Sequence, residues 1–416
     1  MKRDPSRPRG RFWRPLQSSI LLAVLIGSAC TSPASGHKPE PLGAWAALPQ
    51  GPRPRLGHSM VWTGNQMLTW GGQAIQGARY RADGEVFDPA RNVWSLIPKA
   101  PLAPRGYHVA AWTGSRLLVW GGGVEGPKSG TRSFDDGASY DPTTGAWTPM
   151  AQAPIEARSQ HTGVWTGSEL LIWGGVDLCR TLVGGSSFPC ELFTVPGEEE
   201  EISESAKLLA DGAAYDPASN RWTAMAPAPL KPRVGHVAVW TGREMLVWGG
   251  ATLKEGPLAF PDGAAYNPAT NSWRSIGVAP LHAGARFGAV WTGKQMLVWG
   301  GTRGEGAAFD PVTNRWTLLP KSPLPPLSSP TSVWTGRMML IWGAPEEQPN
   351  PSLPIAEGAA YDPEEGRWTL LPSAPSAPGL GQVAVWAGTR MLVWGGFAGD
   401  GPLSAGADFN LRPPAA

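Results

Sequence analysis

Short apolar segments recur along the chain, and the first complete set shows their pattern. His58–Trp62 alternates with a period of two, and Gln66–Trp70, Glu85–Phe87 and Val93–Leu96 follow it as further short apolar segments. Segments this short, with this alternation, predict β-strands rather than helices. We name the four predicted strands a, b, c and d.

The connections between these strands carry turn residues. Thr63-Gly64 joins strands a and b, and Asp88–Asn92 joins strands c and d. In the second turn the proline fixes φ and the final asparagine tolerates the left-handed conformation, a role that Gly145 and Gly366 take in other copies. The unit therefore predicts four antiparallel strands joined by tight turns.

This unit occurs seven times, and three tryptophan positions mark it. The strand a tryptophan recurs at Trp62, Trp112, Trp165, Trp240, Trp291, Trp334 and Trp386. The strand b tryptophan recurs at Trp70, Trp120, Trp173, Trp248, Trp299, Trp342 and Trp394. The strand d tryptophan recurs at Trp94, Trp147, Trp222, Trp273, Trp316 and Trp368, and its seventh copy is Trp45, upstream of the first complete unit. A repeat of about 40 to 50 residues is typical of a β-propeller.

The two ends of the repeat region complement each other. The last unit has strands a, b and c, ending near Phe409, whereas Gly43–Leu48 supplies an isolated strand d. The sequence therefore predicts an all-β, seven-bladed propeller over residues 43–411, in which the N-terminal strand closes the seventh blade. Residues 412–416 are predicted to be a C-terminal tail.

The unit resembles the Kelch repeat. It has a glycine pair after strand b, an aromatic-Asp-Pro turn after strand c and a tryptophan in strand d. The copies depart from this pattern at Gly343-Ala344, Asn267 and Asn410-Leu411. The resemblance implies the propeller fold, but the fold hosts binding proteins, adaptors and a few enzymes alike, so it does not define an activity.

The first 29 residues have the layout of a secretory signal. A basic stretch precedes the apolar run Ile20–Ile26, and Gly27-Ser28-Ala29 precedes Cys30. The apolar run is too short for a membrane span. The small residues followed by cysteine resemble the lipobox of bacterial lipoproteins, which implies that Cys30 carries a lipid. A cleaved signal without lipid and an uncleaved anchor are the alternatives.

The segment after the predicted signal supports export and anchoring. Residues 30–42 are predicted to form a flexible tether. We therefore expect an exported protein of the bacterial cell envelope, anchored by lipid at the outer membrane or cell surface.

Residues 1–29 carry six basic side chains and one acidic one, so the rest of the chain has a formal charge of −3, against +2 for the whole. This acidic body predicts no nucleic-acid partner.

Length variation between the repeats is confined to one connection. From the strand b tryptophan to the strand c aromatic residue the interval runs 17, 20, 42, 18, 10, 19 and 15 residues, whereas the other intervals are nearly constant. The b–c connections and the d–a segments between blades emerge on the same face of a propeller. Variable loops on a rigid scaffold commonly carry recognition, so this face is the predicted binding face.

The third b–c connection is the longest and contains two cysteines. Cys179 and Cys190 are predicted to form a disulfide, since an exported protein favours oxidation and Cys30 would be lipidated. Glu198–Glu201 adds an acidic run. The connection is either a docking element over the face or a tolerated insertion.

Charged residues at the strand starts are the candidate binding-face residues. An acid before strand c recurs at Asp83, Asp136, Asp211, Asp262, Glu305 and Glu357, and an arginine before strand a recurs at Arg55, Arg105, Arg158 and Arg233. Their co-occurrence favours a structural network in which an arginine or a histidine pairs with the acid. Contact with a ligand is the alternative.

Histidines recur three residues after these arginines, at His58, His108, His161 and His236. Equivalent positions in different blades are spread around a ring, whereas metal ligands must converge on one ion at about 2.0–2.1 Å. We therefore predict no metal site and no cofactor.

The aromatic residues fall into two groups. The fixed strand positions of the tryptophans predict packing between blades rather than stacking on a sugar. The aromatic residues that could contact a ligand are those of the variable connections, at Tyr80, Phe134, Phe188, Phe193, Phe260 and Phe397.

The chain lacks the residues that a copper-radical enzyme needs. Copper-radical enzymes similar to galactose oxidase use two tyrosines, two histidines and a cysteine cross-linked to one tyrosine, and here only Tyr80 and Tyr107 lie outside repeat positions. No catalytic residues are predicted. The expected function is a non-catalytic binding module for a protein or glycan, with a mutarotase-like or oxidase-like carbohydrate-active enzyme as the alternative.

Overall fold

A computed structural model describes residues 41–51, 53–74, 79–124, 132–178, 206–252, 259–282, 284–346, 357–376, 378–398 and 401–412. Over these ranges the secondary structure consists of strands and contains no helix. No helix in this part of the chain is long and apolar enough to cross a membrane. The predicted signal and lipid site, with Cys30, and the predicted Cys179–Cys190 pair lie outside the described residues.

Seven four-stranded antiparallel sheets form the blades, each in the spatial order a-b-c-d. Blade 1 contains Ser59–Trp62, Met67–Trp70, Gly84–Asp88 and Val93–Ile97. Blade 2 contains Val109–Trp112, Leu117–Trp120, Gly137–Asp141 and Ala146–Pro149. Blade 3 contains Thr162–Trp165, Leu170–Trp173, Gly212–Asp216 and Arg221–Ala224. Blade 4 contains Val234–Trp240, Met245–Ala251, Gly263–Asn267 and Ser272–Ile276.

The remaining blades repeat this arrangement. Blade 5 contains Phe287–Trp291, Met296–Gly300, Glu305–Asp310 and Arg315–Leu318. Blade 6 contains Thr331–Trp334, Met339–Trp342, Gly358–Asp362 and Arg367–Leu370. Blade 7 contains Val383–Trp386, Arg390–Trp394, Gly406–Leu411 and, as its strand d, Gly43–Ala47. The predicted all-β, seven-bladed propeller is confirmed.

The ring closes through the N-terminal strand. Gly43–Ala47 pairs antiparallel with Gly406–Leu411, with Trp45 opposite Phe409. Strand a of each blade contacts strand a of the next blade, including blade 7 with blade 1, so the seven strands a form the inner wall. The predicted split seventh blade is therefore present.

Each seam, the contact surface between two neighbouring blades, holds part of the hydrophobic core. Between blades 1 and 2 the seam contains Trp70, Leu68, Leu117, Val119 and Tyr140. The strand b tryptophans of all seven blades are at most 2% exposed. This burial confirms the predicted packing role of that tryptophan position.

The strand d tryptophans join the blades by hydrogen bonds. In every blade the indole N–H donates to a carbonyl oxygen of the preceding blade's d–a segment, from Trp45 to Pro372, Trp94 to Pro49, Trp147 to Pro98, Trp222 to Ala151, Trp273 to Ala226, Trp316 to Gly277 and Trp368 to Pro320. The bond from Trp45 is 2.8 Å long and ties the closing strand to blade 6. This seven-fold set of bonds was not visible in the sequence, which identified the tryptophans only as packing residues.

Replacing Trp45 by phenylalanine is expected to weaken ring closure. The ring contacts with Trp342 and Phe409 would largely persist, but the carbonyl of Pro372 would lose its donor. A lost hydrogen bond of this kind costs about 1 kcal/mol, and we expect a decrease of that size in the free energy of unfolding by urea. An unchanged unfolding midpoint would contradict a role for this bond in closure.

Candidate functional site

The b–c face is the face of the ring on which the b–c connections and d–a segments lie. Four of its b–c connections carry an additional two-stranded hairpin, in blades 1, 2, 3 and 7: Gln73–Ala74 with Arg79–Tyr80, Gly123–Val124 with Arg132–Ser133, Val176–Asp177 with Lys207–Leu208, and Phe397–Ala398 with Gly401–Pro402. Blade 5 instead has a tight turn, in which the N–H of Gly304 donates to the carbonyl of Gly301 at 3.2 Å. The face is therefore uneven around the ring.

Four arginines lie buried beneath this face. Arg55, Arg105, Arg158 and Arg233 have no exposed surface. Each pairs with the acid that precedes strand c of its own blade: Arg55 with Asp83 at 3.1 Å, Arg105 with Asp136 at 2.6 Å, Arg158 with Asp211 at 2.9 Å and Arg233 with Asp262 at 2.8 Å. The predicted arginine–acid pairing is confirmed in these four blades.

The guanidinium of Arg105 forms hydrogen bonds through all three of its nitrogen atoms. Its Nε donates to the carbonyl of Ala103 at 2.9 Å, and its Nη1 donates to the carbonyls of Gly121 at 3.2 Å and Asp136 at 3.3 Å. Its carboxylate contacts are bidentate, with Nη2 donating to the second oxygen of Asp136 at 3.3 Å. One side chain thus holds the start of strand a against the end of strand b and the start of strand c.

The same arginines also connect neighbouring blades through their backbone. The second glycine of a glycine pair donates its N–H to the arginine carbonyl of the next blade, from Gly72 to Arg105, Gly122 to Arg158, Gly175 to Arg233 and Gly396 to Arg55. The arginines present no surface to a ligand, whereas their acid partners remain partly exposed, between 25% and 51%. A ligand-contacting role of either set stays a prediction.

The other two candidate acids have different surroundings. Glu305 accepts a hydrogen bond from His282, with 2.9 Å between Nδ1 and Oε2, in place of an arginine contact. Burial raises the pKa of Glu357, which lies half-buried at the start of strand c of blade 6. The repeated acid position therefore serves a common structural purpose in four blades only.

Blade 1 contains a buried acid that the sequence interpretation missed. Glu85 is fully buried, and its Oε1 lies 2.7 Å from Nη2 of Arg55. Burial raises the pKa of Glu85, although the charge of Arg55 opposes this shift. Thr69, directly opposite in the sheet, is also fully buried. The signal was available, because alanine stands at the Glu85 position in the six other units.

The repeated histidines lie in the seams and are kept neutral. His108 contacts the edge of Trp70 in the preceding blade, with ring centroids 4.9 Å apart, and its Nε2 lies 2.7 Å from Oγ of Ser59. Burial, followed by the charge of Arg105, lowers the pKa of His108 to about 3. None of the four histidines forms an ion pair with an acid in the described residues, because the arginine of the same blade pairs with the acid instead.

The aromatic residues of the connections divide into structural and accessible ones. Phe134 is 9% exposed, and the guanidinium of Arg105 lies 3.9 Å from its ring centroid. Phe260 covers Arg233 in the same way at 4.3 Å. The expectation that Phe134 is open to a ligand is therefore wrong, since it covers a buried cation. Tyr80 and Phe397 are half-buried, and Phe188 and Phe193 lie outside the described residues.

Residues at the inner rim of the b–c face adopt an unusual backbone conformation. Five positions before the strand a tryptophan, Tyr107, Gln160 and Arg286 have φ of 55°, 54° and 68°, where Gly57 of blade 1 has 62°. The N–H of Tyr107 donates to the carbonyl of Gly57, and that of Gln160 to the carbonyl of Tyr107. Left-handed conformations cost roughly 1–2 kcal/mol per non-glycine residue.

Gly57 has a second reason to be glycine, and it gives a testable prediction. A Cβ atom there would lie 3.0 Å from the ring of Tyr107, whereas a Cβ atom at Gly366, with φ of 60°, would meet no neighbour within 4 Å. Gly57→Ala is expected to cost about 2–3 kcal/mol of unfolding free energy, and Gly366→Ala only the backbone share of about 1 kcal/mol. Equal losses in urea denaturation of the two variants would show that Tyr107 does not rest on Gly57.

A cleft opens on the b–c face beside blade 1. Its volume is about 370 Å³, and Arg53, Arg81, Asp83, Leu96 and Lys99 are among the residues that line it. Asp83 forms ion pairs with Arg53 and, at 4.0 Å, with Nη1 of Arg81. Partial burial and the charge of Arg55 lower the pKa of Arg81. No group of three or more histidine, cysteine or acidic side chains that could hold a metal occurs in the described ranges.

A comparison with protein families identifies the repeats. The family model described as the KLHDC2/KLHL20/DRC7 Kelch-repeats domain matches residues 43–184 and 191–396. The two matched segments cover most of the 416 residues and include strands from all seven blades. The chain therefore belongs to the Kelch-repeat family of β-propellers.

Proposed function

We propose that the protein is a non-catalytic binding module that docks a partner protein on its b–c face. The observation that carries this proposal is the confinement of variation to that face. The opposite face consists of the a–b and c–d turns, which have the same length in every contiguous unit. Scaffolds that bind through loops vary those loops and keep the rest constant.

The side chains of the b–c face support a protein partner in preference to a glycan. The cleft beside blade 1 combines arginine and tyrosine side chains with Leu96, which is 60% exposed. Arginine and aromatic residues are enriched where protein interfaces gain most of their binding energy. A leucine contributes little to the recognition of a hydroxyl-rich sugar.

Site-specific photo-crosslinking in intact cells tests the use of this face. A photoreactive residue would replace Pro101 or Lys231, two exposed residues in d–a segments of the b–c face, or Lys294, an exposed lysine in an a–b turn of the opposite face. We expect discrete protein adducts from position 101 or 231 and none from position 294. Adducts from all three positions alike, or from none, would refute the proposed docking face.

We also propose that the protein is exported and anchored by a lipid on Cys30. The basic stretch, the apolar run and the small residues before Cys30 support this proposal. Metabolic labelling with an alkyne fatty acid in a bacterial host is expected to label the full-length protein but not Cys30→Ser. Labelling of both proteins would exclude Cys30 as the attachment site.

A disulfide between Cys179 and Cys190 is proposed on the same basis. An exported chain meets an oxidising environment, and these are the two cysteines that remain beside Cys30. Alkylation of the exported protein with a maleimide is expected to modify neither cysteine until a reductant is added. Modification without reductant would show that the two thiols are free.

A further inference from the structure

Two tyrosines that lie outside the repeated positions, Tyr80 and Tyr107, border the seam of blades 1 and 2 on the b–c face. Tyr80, in the b–c hairpin of blade 1, lies 3.2 Å from the position of a Cβ atom on Gly106 of blade 2. Tyr107 of blade 2 lies reciprocally over Gly57 of blade 1, at 3.0 Å from the equivalent point. Both tyrosines are half-buried. Each ring therefore packs against a glycine of the neighbouring blade.

This arrangement keeps Tyr107 in a strained conformation. Its φ is 55°, at a position where glycine stands in blades 1, 4 and 7. Strain of this kind persists where the surrounding structure enforces it, and it is concentrated at functional sites. Tyr107 thus adds a large aromatic side chain at the inner rim, at a position where blades 1, 4 and 7 have glycine.

The cleft that Tyr80 lines carries an excess of positive charge. Arg53, Arg81 and Lys99 line it together with a single acid, Asp83. Beneath it, Arg55 and Glu85 form a buried pair at 2.7 Å that adds no net charge. The 4.0 Å contact of Arg81 with Asp83 exceeds hydrogen-bond distance, and its buried Nε has no hydrogen-bond partner in the described structure. Asp83 therefore neutralises only part of the positive charge of the cleft.

An apolar side chain borders the same cleft. Leu96, near the end of strand d of blade 1, is 60% exposed and lies three residues before Lys99. A ligand that reached the cationic groups could cover this leucine and part of Tyr80 at the same time. The chemistry favours a chain that carries both carboxylates and apolar side chains.

We propose that the seam of blades 1 and 2 binds an acidic segment of a partner protein, with carboxylates on Arg81 and Lys99 and an apolar side chain against Leu96 and Tyr80. This inference rests on the proposed function, because it assigns the partner chemistry and the sector of the b–c face. An acidic polysaccharide would satisfy the cations but leave Leu96 without a partner. Charge complementarity across the interface would also accelerate association at low salt.

Binding of defined peptides to the full-length protein in detergent tests the proposal. The probe is a fluorescein-labelled twelve-residue peptide of Glu-Glu-Leu repeats, and the matched peptides have Gln-Gln-Leu or Glu-Glu-Gly repeats. Fluorescence anisotropy is expected to show at least tenfold tighter binding of the Glu-Glu-Leu peptide than of either matched peptide. Equal binding of the Gln-Gln-Leu peptide would overturn the proposal.

Variants assign the binding to the cleft. Lys99→Glu and Arg81→Gln are expected to lower the affinity for the Glu-Glu-Leu peptide at least tenfold. Leu96→Asn is expected to lower the affinity for this peptide while leaving the affinity for the Glu-Glu-Gly peptide unchanged. Lys294→Glu makes the same charge change on the opposite face and should alter the affinity less than twofold. Thermal unfolding confirms that each variant is folded. Retained affinity in folded Lys99→Glu and Arg81→Gln would refute the site.

Two further outcomes separate this inference from the proposed function. Binding of polygalacturonate that displaces the peptide and is insensitive to Leu96→Asn would assign the cleft to an anionic glycan and overturn the proposal. Crosslinked protein adducts from position 231 but not from position 101, with no peptide binding, would preserve a b–c docking face and refute its assignment to this seam.

Discussion

Lowering the pH from 7 to 5 is expected to destabilise the propeller strongly, because its seam histidines remain neutral while the unfolded chain takes up protons. The pKa values of His58, His108 and His236 are lowered to about 3, first by burial and then by the neighbouring arginine. The pKa of His161 is lowered for the same reasons. The unfolded state therefore binds more protons than the folded state between pH 6.5 and about 3.

The size of this effect follows from proton linkage. A depressed folded-state pKa gives stability that is complete above the unfolded pKa and is lost as the pH falls, at up to about 1.4 kcal/mol per pH unit for each histidine. At pH 5 the three histidines with a pKa of about 3 would together remove up to about 6 kcal/mol. Since domains are stable by about 5–15 kcal/mol, acid unfolding is expected near pH 5.

The chain itself offers the control substitution. In blade 5, Phe287 takes the histidine position and contacts the edge of Trp248, with ring centroids 4.9 Å apart at an interplanar angle of 83°. His58 contacts Trp394 in the same way, at 5.2 Å and 82°. His58→Phe is therefore expected to preserve stability at pH 8 and to reduce the slope of stability against pH below 6.5 by up to about 1.4 kcal/mol per unit. An unchanged slope in urea titrations would show that His58 is not buried neutral.

Removing a buried arginine is expected to have the second largest effect. Arg105→Ala leaves the carbonyls of Ala103 and Gly121 without their guanidinium donor and exposes one face of the Phe134 ring to a cavity. Each unsatisfied buried group costs about 1–3 kcal/mol, so the unfolding free energy is expected to fall by about 3–5 kcal/mol. Chemical denaturation at neutral pH measures this loss.

Two further variants define the cause of that loss. Arg105→Lys keeps the charge but cannot reproduce the planar fork, and its stability should lie between those of the wild type and Arg105→Ala. Arg116→Ala removes an arginine that is 45% exposed and lies 3.8 Å from Asp141, and it should leave the unfolding midpoint unchanged. Equal effects of Arg105→Ala and Arg116→Ala would contradict a structural role for the buried network.

The strands were predicted accurately because seven copies of the same pattern make their positions recognisable in the sequence. The predicted segment Gln66–Trp70 corresponds to the observed strand Met67–Trp70, and Val93–Leu96 to Val93–Ile97. The left-handed turn position was also predicted correctly, with φ of 57° at Asn92 and 71° at Gly145. Local conformation depends on neighbouring residues, so seven copies of one pattern define it well.

The candidate site was predicted only in part. Sequence spacing identified the b–c face and the arginine–acid pairs, but it treated Phe134 as accessible and did not identify Glu85. The partners of Phe134 and Glu85 are Arg105 and Arg55, which lie about 30 residues away in the chain. Such contacts form only after the b–c connection returns to the sheet, so local patterns do not reveal them.

The sequence by itself determined the number of blades, the strand that closes the ring and the face on which the repeats differ. These properties follow from periodicity, from turn chemistry and from the split of one repeat between the two ends. The tertiary structure decided which charges are buried, which histidines are held neutral in the seams, and that Tyr80 lines a cationic cleft. Those properties depend on contacts between blades, and burial in a seam is set by residues that are distant in the chain.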